Sequence, residues 1–241
     1  MTRAFSGKVP ARVARLLSVG VQSTPGGFPS ENAAKKGLSR RVLFAGASGL
    51  FLAGCSDLVG PLAAPKLYVL APPLLGPLPG PKAGWALSIA MPEATAGLDA
   101  ERIAILRPPS GLDYYADAAW ADRLPVLAEA ALVEAFESSG RIAAVVRDSG
   151  GVQADYILAT DLREFAARYD AGEGAPLAAV RLGARVVNAR TRKMSASAAF
   201  GKEVRAAANS VPAAVAALTA AYGAVLAELV PWVLDRSLPS A

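Results

Sequence analysis

LAAVRLGARVVN, from Leu177 to Asn188, repeats with a period of two. Val180, Leu182, Ala184 and Val186 fall on one side, and Arg181, Gly183, Arg185 and Val187 on the other. Successive side chains of a strand point to opposite faces, so this run predicts a strand with one face on a core and one in water. Similar runs flank it: Tyr156–Tyr169, broken or bulged midway, and Met194–Arg205. The connections, Asp170–Pro176 and Ala189–Lys193, are turn-like. The three runs predict an antiparallel meander.

Working upstream, Lys66–Ala71 predicts a first strand ended by Pro72-Pro73, and a Pro/Gly loop leads from there to Trp85–Met91. Trp85, Leu87, Ile89 and Met91 share one face of that second strand. Glu101–Arg107, closed by Pro108-Pro109, predicts a third, Leu112–Tyr115 a short fourth, and Arg141–Arg147 a fifth. A helix is expected over Asp122–Ser138, with Asp122 as cap and Pro125 in its first turn. Its apolar stripe is Leu124, Leu127, Ala131, Leu132, Ala135 and Phe136, with Glu129, Glu134 and Glu137 at the surface and Gly140 as the stop. A second helix is expected over Val211–Asp235, capped by Ser210, with Val215, Leu218, Tyr222, Val225, Leu226, Leu229 and Val233 buried and a kink at Pro231. Together these elements predict an α+β single domain, a mostly antiparallel sheet with two long helices packed on one face.

Before the first strand stands Leu52-Ala53-Gly54-Cys55, which reads as a lipobox, and Cys55 is the chain's one cysteine. The apolar run Val42–Leu52 precedes it, itself preceded by Lys35, Lys36, Arg40 and Arg41. A basic segment, a short apolar run and small residues before the cut make a secretory signal. The run is too short to span a bilayer, which needs roughly 20 apolar residues. Residues 1–54 are therefore expected to be a signal peptide cleaved between Gly54 and Cys55, with 55–65 a lipidated tether and 66–241 the folded domain. A thioether-linked diacylglycerol with an N-acyl chain such as palmitate at Cys55 would anchor the chain firmly. The plainer alternative is a buried cysteine behind a core strand. Ser39-Arg40-Arg41-Val42-Leu43-Phe44 resembles a twin-arginine export motif, so that route and the general secretory route both stay open. Residues 1–34 are either an extended basic segment or the mark of a start codon assigned too early. Ser56, rather than aspartate, after the lipidated cysteine favours the periplasmic face of the outer membrane over the inner membrane.

The formal charge of +5 belongs to the leader. Residues 1–54 hold eight of the 25 Lys/Arg and one of the 20 Asp/Glu, which leaves 17 basic against 19 acidic residues beyond them. A nucleic-acid partner needs a basic face on the domain, and none is indicated. The chain has no histidine, which removes the commonest general base, the Ser-His-Asp triad and the commonest zinc ligand. There is no Gly-x-x-x-x-Gly-Lys-[Ser/Thr] loop for a nucleotide. No segment after Cys55 approaches transmembrane length. A non-enzymatic, tethered module without a cofactor is the expectation.

Tyr114, Tyr115 and Trp120 are candidates for docking a partner protein, since Tyr and Trp are enriched at interface hot spots. The alternative is that they plug the core beneath the first helix. Asp113, Asp117 and Asp122 form a spaced acidic set, for which capping and turn roles compete with metal binding. Arg181 and Arg185, with Arg190, Arg192 and Lys193 in the following turn, are candidates for contact with anionic lipid or a partner, against the reading of a solvated strand face.

The block Leu112-Asp113-Tyr114-Tyr115-Ala116-Asp117-Ala118-Ala119-Trp120-Ala121-Asp122-Arg123-Leu124-Pro125 carries a resemblance. With the lipobox, Tyr68-Val69-Leu70, Ala154-Asp155-Tyr156-Ile157-Leu158 leading to Phe165, and Pro231-Trp232-Val233, it resembles the ABC-type transport auxiliary lipoproteins over essentially all of 55–241. The long leader departs from the family pattern. The resemblance implies an accessory role in envelope lipid transport, beside an ABC ATPase, a permease and a periplasmic MCE-domain protein, with phospholipid as a further contact. An alternative is a lipoprotein that itself binds a lipid or hydrophobic solute, which would need a large apolar cavity.

Overall fold

The period-two run Leu177–Asn188 is a strand with the expected bounds, and so is Met194–Arg205. The computed structural model describes residues 64–236 other than 171 and 173. In chain order the elements are β1 (Lys66–Tyr68), β2 (Ala83–Ile89), β3 (Glu93–Ala94), β4 (Arg102–Arg107), β5 (Gly111–Trp120), α1 (Leu124–Ser138), β6 (Ile142–Arg147), β7 (Tyr156–Arg168), β8 (Leu177–Asn188), β9 (Met194–Arg205) and α2 (Val211–Leu234). A 3-10 turn, Asp148–Gly150, follows β6.

β7, β8 and β9 form the expected meander, with ladders running from Tyr156↔Asn188 to Arg168↔Leu177 and from Val187↔Met194 to Leu177↔Arg205. The break expected in the first of them is a register shift between Leu162 and Glu164. An extra residue there bends the strand and raises its twist. Val180, Leu182, Ala184 and Val186 are all buried, as their alternation requires.

The sheet as a whole is mixed, which corrects the expectation of a mostly antiparallel one. β7 carries β8 along one edge, while its other edge is shared by three short parallel ladders: Leu87–Ile89 of β2, Glu93–Ala94 of β3 and Ile105–Leu106 of β4. β6 adds to β2 in parallel, and β1 to β5 in parallel. Among the described residues only β4–β5, β7–β8 and β8–β9 are antiparallel. β6, entering after α1, does not pair with β5, the strand that precedes the helix, but joins β2 in parallel. Alternation along a strand reports which face is buried and carries nothing about the direction of the next strand.

Local corrections have local causes. β5 runs to Trp120, well past the expected Leu112–Tyr115, because β1 and β4 pair with its second half at Ala118–Trp120. β2 ends at Ile89, leaving Met91 outside the strand and exposed. Asp122 is not the cap of α1: its carboxylate accepts from the Arg123 N–H at 2.6 Å, and Arg123 holds the cap position. Glu129, expected at the surface, is buried and faces Arg147 at 3.9 Å. Gly140 ends the region of α1 at φ +65°, a conformation that glycine alone adopts freely.

Each helix covers its own part of the sheet, α1 lying against β6 and β2, and α2 against β8, β9 and part of β7. α2 also overturns the reading that no segment approaches transmembrane length. It has 24 residues, and its most apolar 18-residue stretch has a mean hydropathy of 1.8, enough by length and composition to cross a bilayer. Here that apolar character serves the core: the expected stripe from Val215 to Val233 is buried throughout. Phe165 on β7 meets Trp120 of β5 and Tyr222 of α2 edge-on, at 6.0 and 5.7 Å between ring centroids. Such pairs add to the gain from burial alone.

The two helices meet where the Tyr222 hydroxyl donates to the Ala128 carbonyl at 2.9 Å. Burial pushes this phenol far above its ordinary 10.0. Below about pH 10 the phenol is neutral in both folded and unfolded chains; above it, only the unfolded chain releases the proton. Stability contributed by Tyr222 is therefore complete below pH 10 and falls by about 1.4 kcal/mol per pH unit above it. Urea unfolding at pH 9, 10 and 11 should show this loss, and Tyr222→Phe should flatten it by one proton. An unchanged slope would contradict a buried phenol.

Candidate functional site

The expected lipidation site Cys55, the cleavage position Gly54 and residues 55–63 of the tether lie outside the described residues. What the structure places are the aromatic and charged candidates downstream.

Trp120 is a core residue, 1% exposed, so it offers no face to a partner and is withdrawn as a docking residue. Tyr114 and Tyr115 are half-buried. The Tyr114 hydroxyl donates to the Gly97 carbonyl at 3.1 Å, and the Arg102 guanidinium stacks 3.7 Å from its ring centre. Tyr115 and Tyr169 share a hydrogen bond of 3.1 Å, and Tyr169 donates onward to Asn209. Burial, then the bond to Tyr169, raises the Tyr115 phenol above its usual range. Both half-buried rings are held by intramolecular partners. Of the acidic set, Asp113 pairs with Arg107 at 3.4 Å and Asp122 holds the local turn, while Asp117 is exposed.

The basic candidates split into two groups. Arg181 Nε lies 2.6 Å from the buried Glu164 carboxylate, and Arg168 approaches the same group at 3.6 Å. Arg185 faces Glu93 at 3.6 Å. Between them, Gly183 leaves room for the Arg163–Asp161 pair to lie across the strand; a Cβ there would sit 2.5 Å from Arg163 Nη2. This face of β7 and β8 is a neutralised ladder of ion pairs.

Arg190 and Arg192 behave differently. Eight arginines among the described residues pair with carboxylates: Arg107, Arg123, Arg141, Arg147, Arg163, Arg168, Arg181 and Arg185. Arg102 and Arg236 lie on aromatic rings, and Arg205 donates to the Ala175 carbonyl. Only the guanidiniums of Arg190 and Arg192 have no partner among the described residues. Both line an open cleft of about 640 Å³ at the end of the sheet where β2, β7 and β8 converge. Its other walls include Ser88, Asp148, Val152 and Asp155. Sequence reasoning missed this cleft because its walls come from separate loops, and only the basic turn was visible.

Three comparisons place the chain among known proteins. The model of the family described as the ABC-type transport auxiliary lipoprotein component matches residues 68–230. A crystal structure of a Xanthomonas campestris protein described as family DUF330 is 32% identical, covers 70% of this chain and 95% of its own, and superposes with a TM-score of 0.64. An uncharacterized protein of known structure, 14% identical, shares the fold at a TM-score of 0.55 over 70% of this chain and 99% of its own. An uncharacterized protein of Bradyrhizobium diazoefficiens is 33% identical over 147 residues, 61% of this chain. The chain spans only 39% of that relative's length.

Proposed function

Because the chain belongs to the ABC-type transport auxiliary lipoprotein family, we propose that it is the membrane-anchored accessory lipoprotein of an MCE-type lipid transport system. One observation carries this reading: the family match at 68–230 begins shortly after Leu52-Ala53-Gly54-Cys55. Cys55 carries the lipid, and the domain is held at the periplasmic face of the outer membrane. The ATPase and permease are separate subunits, and a periplasmic MCE-domain protein is the direct partner. Of the acidic residues singled out in the sequence, Asp113 pairs with Arg107 and Asp122 serves the turn before α1.

Tyr114 and Tyr115 are proposed as part of the partner-docking surface, because half-buried aromatic rings already fixed by intramolecular bonds lose little entropy on binding. Arg181 and Arg185 remain proposed for contact with anionic lipid or a partner, although their pairing with Glu164 and Glu93 reduces the charge they present.

The test is affinity capture of the tagged lipoprotein from gently solubilised envelopes, with Cys55→Ala beside it. Wild type is expected in the membrane fraction with an MCE-domain protein and ABC subunits bound. Cys55→Ala is expected to take up no labelled palmitate, since the residue that carries the acyl chains is gone. Wild type that takes up no labelled palmitate would remove the lipoprotein reading. Recovery of wild type without any MCE protein would remove the transport assignment.

A further inference from the structure

The cleft at the end of β2, β7 and β8 is built by hydrogen bonds that tie its walls together. Asp155 Oδ2 accepts from the Ala86 N–H at 2.7 Å, fixing the start of β7 to β2. The Asp155 carbonyl accepts from the Ala189 N–H at 2.9 Å, fixing the same residue to the basic turn. The Ser88 hydroxyl, on a residue 3% exposed, donates to Asp148 Oδ1 at 3.0 Å and so orients that carboxylate. In the basic turn the Asn188 side-chain oxygen accepts from the Thr191 N–H at 2.8 Å and from its hydroxyl at 3.0 Å. Arg192 follows at φ +58°, and its N–H donates to the Asn188 carbonyl. An arginine at positive φ is uncommon, and such a conformation persists where the surroundings impose it.

Two guanidiniums without partners among the described residues thus share one cleft with two carboxylates, and each aspartate has one oxygen bonded to the protein and one without a bond among the described residues. Guanidinium forks fit phosphate geometry. Free carboxylate oxygens fit an ammonium group. The lining carries as much negative as positive charge, so a plain anion is opposed by the aspartates and a plain cation by the arginines.

We propose that this cleft binds a zwitterion bearing a phosphate and an ammonium group, with the phosphate on Arg190 and Arg192 and the ammonium on Asp148 and Asp155. The exposed side chain of Val152 at the rim gives an apolar shelf for whatever the phosphate is esterified to. The same chemistry is offered by a phospholipid headgroup, which is a phosphodiester, and by free phosphoethanolamine, which is a monoester. The site goes beyond the accessory-lipoprotein reading and does not need it: binding of a soluble probe is measured with no transporter present.

The experiment is calorimetric titration of the purified full-length lipoprotein in non-ionic detergent. The probes are phosphoethanolamine, glycerophosphoethanolamine, inorganic phosphate and ethanolamine. Either zwitterion is expected to bind at least about tenfold more tightly than phosphate or ethanolamine alone. Arg190→Gln and Arg192→Asn, the latter keeping a residue that tolerates positive φ, are each expected to weaken the zwitterion about tenfold or more. Asp148→Asn is expected to erase the preference for the zwitterion over phosphate. Arg205→Gln, an arginine outside the cleft, is expected to bind as wild type, and all variants are checked for folding by their melting curves. Preference for the glycerol diester identifies a lipid headgroup as the source, and preference for the monoester a free solute. Phosphate binding as tightly as the zwitterions, or arginine variants binding as wild type while folded, would overturn the assignment. A lipoprotein that binds the probe but captures no MCE protein would lose its transport role and keep this site.

Discussion

Phe165→Ala is expected to lower the unfolding free energy by about 3–5 kcal/mol. Small domains have only about 5–15 kcal/mol in total, so this single truncation takes a large part of the margin. Phe165 is 1% exposed, and its ring is the shared member of two edge-on pairs, with Trp120 and with Tyr222. Those partners belong to β5 and α2, while Phe165 itself belongs to β7, so the ring joins three elements that are distant in sequence. Removing it leaves a cavity that neither neighbour can fill without leaving its own position, since Tyr222 is held at the Ala128 carbonyl. Urea unfolding followed by near-ultraviolet circular dichroism measures the effect. Phe165→Leu should cost clearly less, because most of the volume stays. A loss below about 1 kcal/mol for the alanine variant would mean that the site collapses freely and that the aromatic cluster is not the centre of the core.

Gly80→Ala is expected to cost about 2–3 kcal/mol, from two effects that act together. Gly80 sits at φ +122°, a region closed to residues with a Cβ, and the added carbon would lie 2.7 Å from Arg141 Cζ. Arg141 cannot easily move away. Its side chain is 6% exposed, Nη1 donates to Asp235 Oδ1 at 2.8 Å, and Nε donates to the Pro81 carbonyl at 3.2 Å. It therefore fastens the Pro/Gly loop and the C-terminal end of α2 to the start of β6. Asp235 is itself well exposed, so losing the arginine leaves no stranded buried charge. Arg141→Ala should accordingly cost about 2 kcal/mol, mainly through the carbonyl bond and lost packing. The double variant separates strain from clash. If the clash matters, the glycine substitution should be cheaper by at least about 0.5 kcal/mol once Arg141 is gone. Strict additivity in the double-mutant cycle would assign the whole effect to backbone strain.

Element existence was legible wherever burial is one-sided. The alternation in Leu177–Asn188 and the stripe from Val215 to Val233 both state a period and a face, and both elements stand where expected. Trp120 shows the limit. Its block carries the family resemblance, yet nothing local distinguishes an aromatic residue that closes a core from one that awaits a partner; pairing with β1 and β4, both distant in sequence, decides the matter. Strand direction was illegible for the same reason, because β2, β3 and β4 acquire theirs from β7. The arginines were legible as a group but not individually: Arg181 and Arg185 meet acids supplied by other strands, Glu164 and Glu93, while Arg190 and Arg192 meet none. Charge type is read from one position, charge pairing from two.

The sharing of β7 by three strands sets an order on biosynthesis. A ribosome delivers β1 through β6 first, and until residues 156–168 emerge, β3 lacks its ladder and β2 has only β6 beside it. α2, which supplies much of the core, comes last. Pairings between segments far apart in sequence form slowly, and unpaired edges invite aggregation or proteolysis in the meantime. A chain that stops before residue 156 therefore lacks the strand on which β2, β3 and β4 converge.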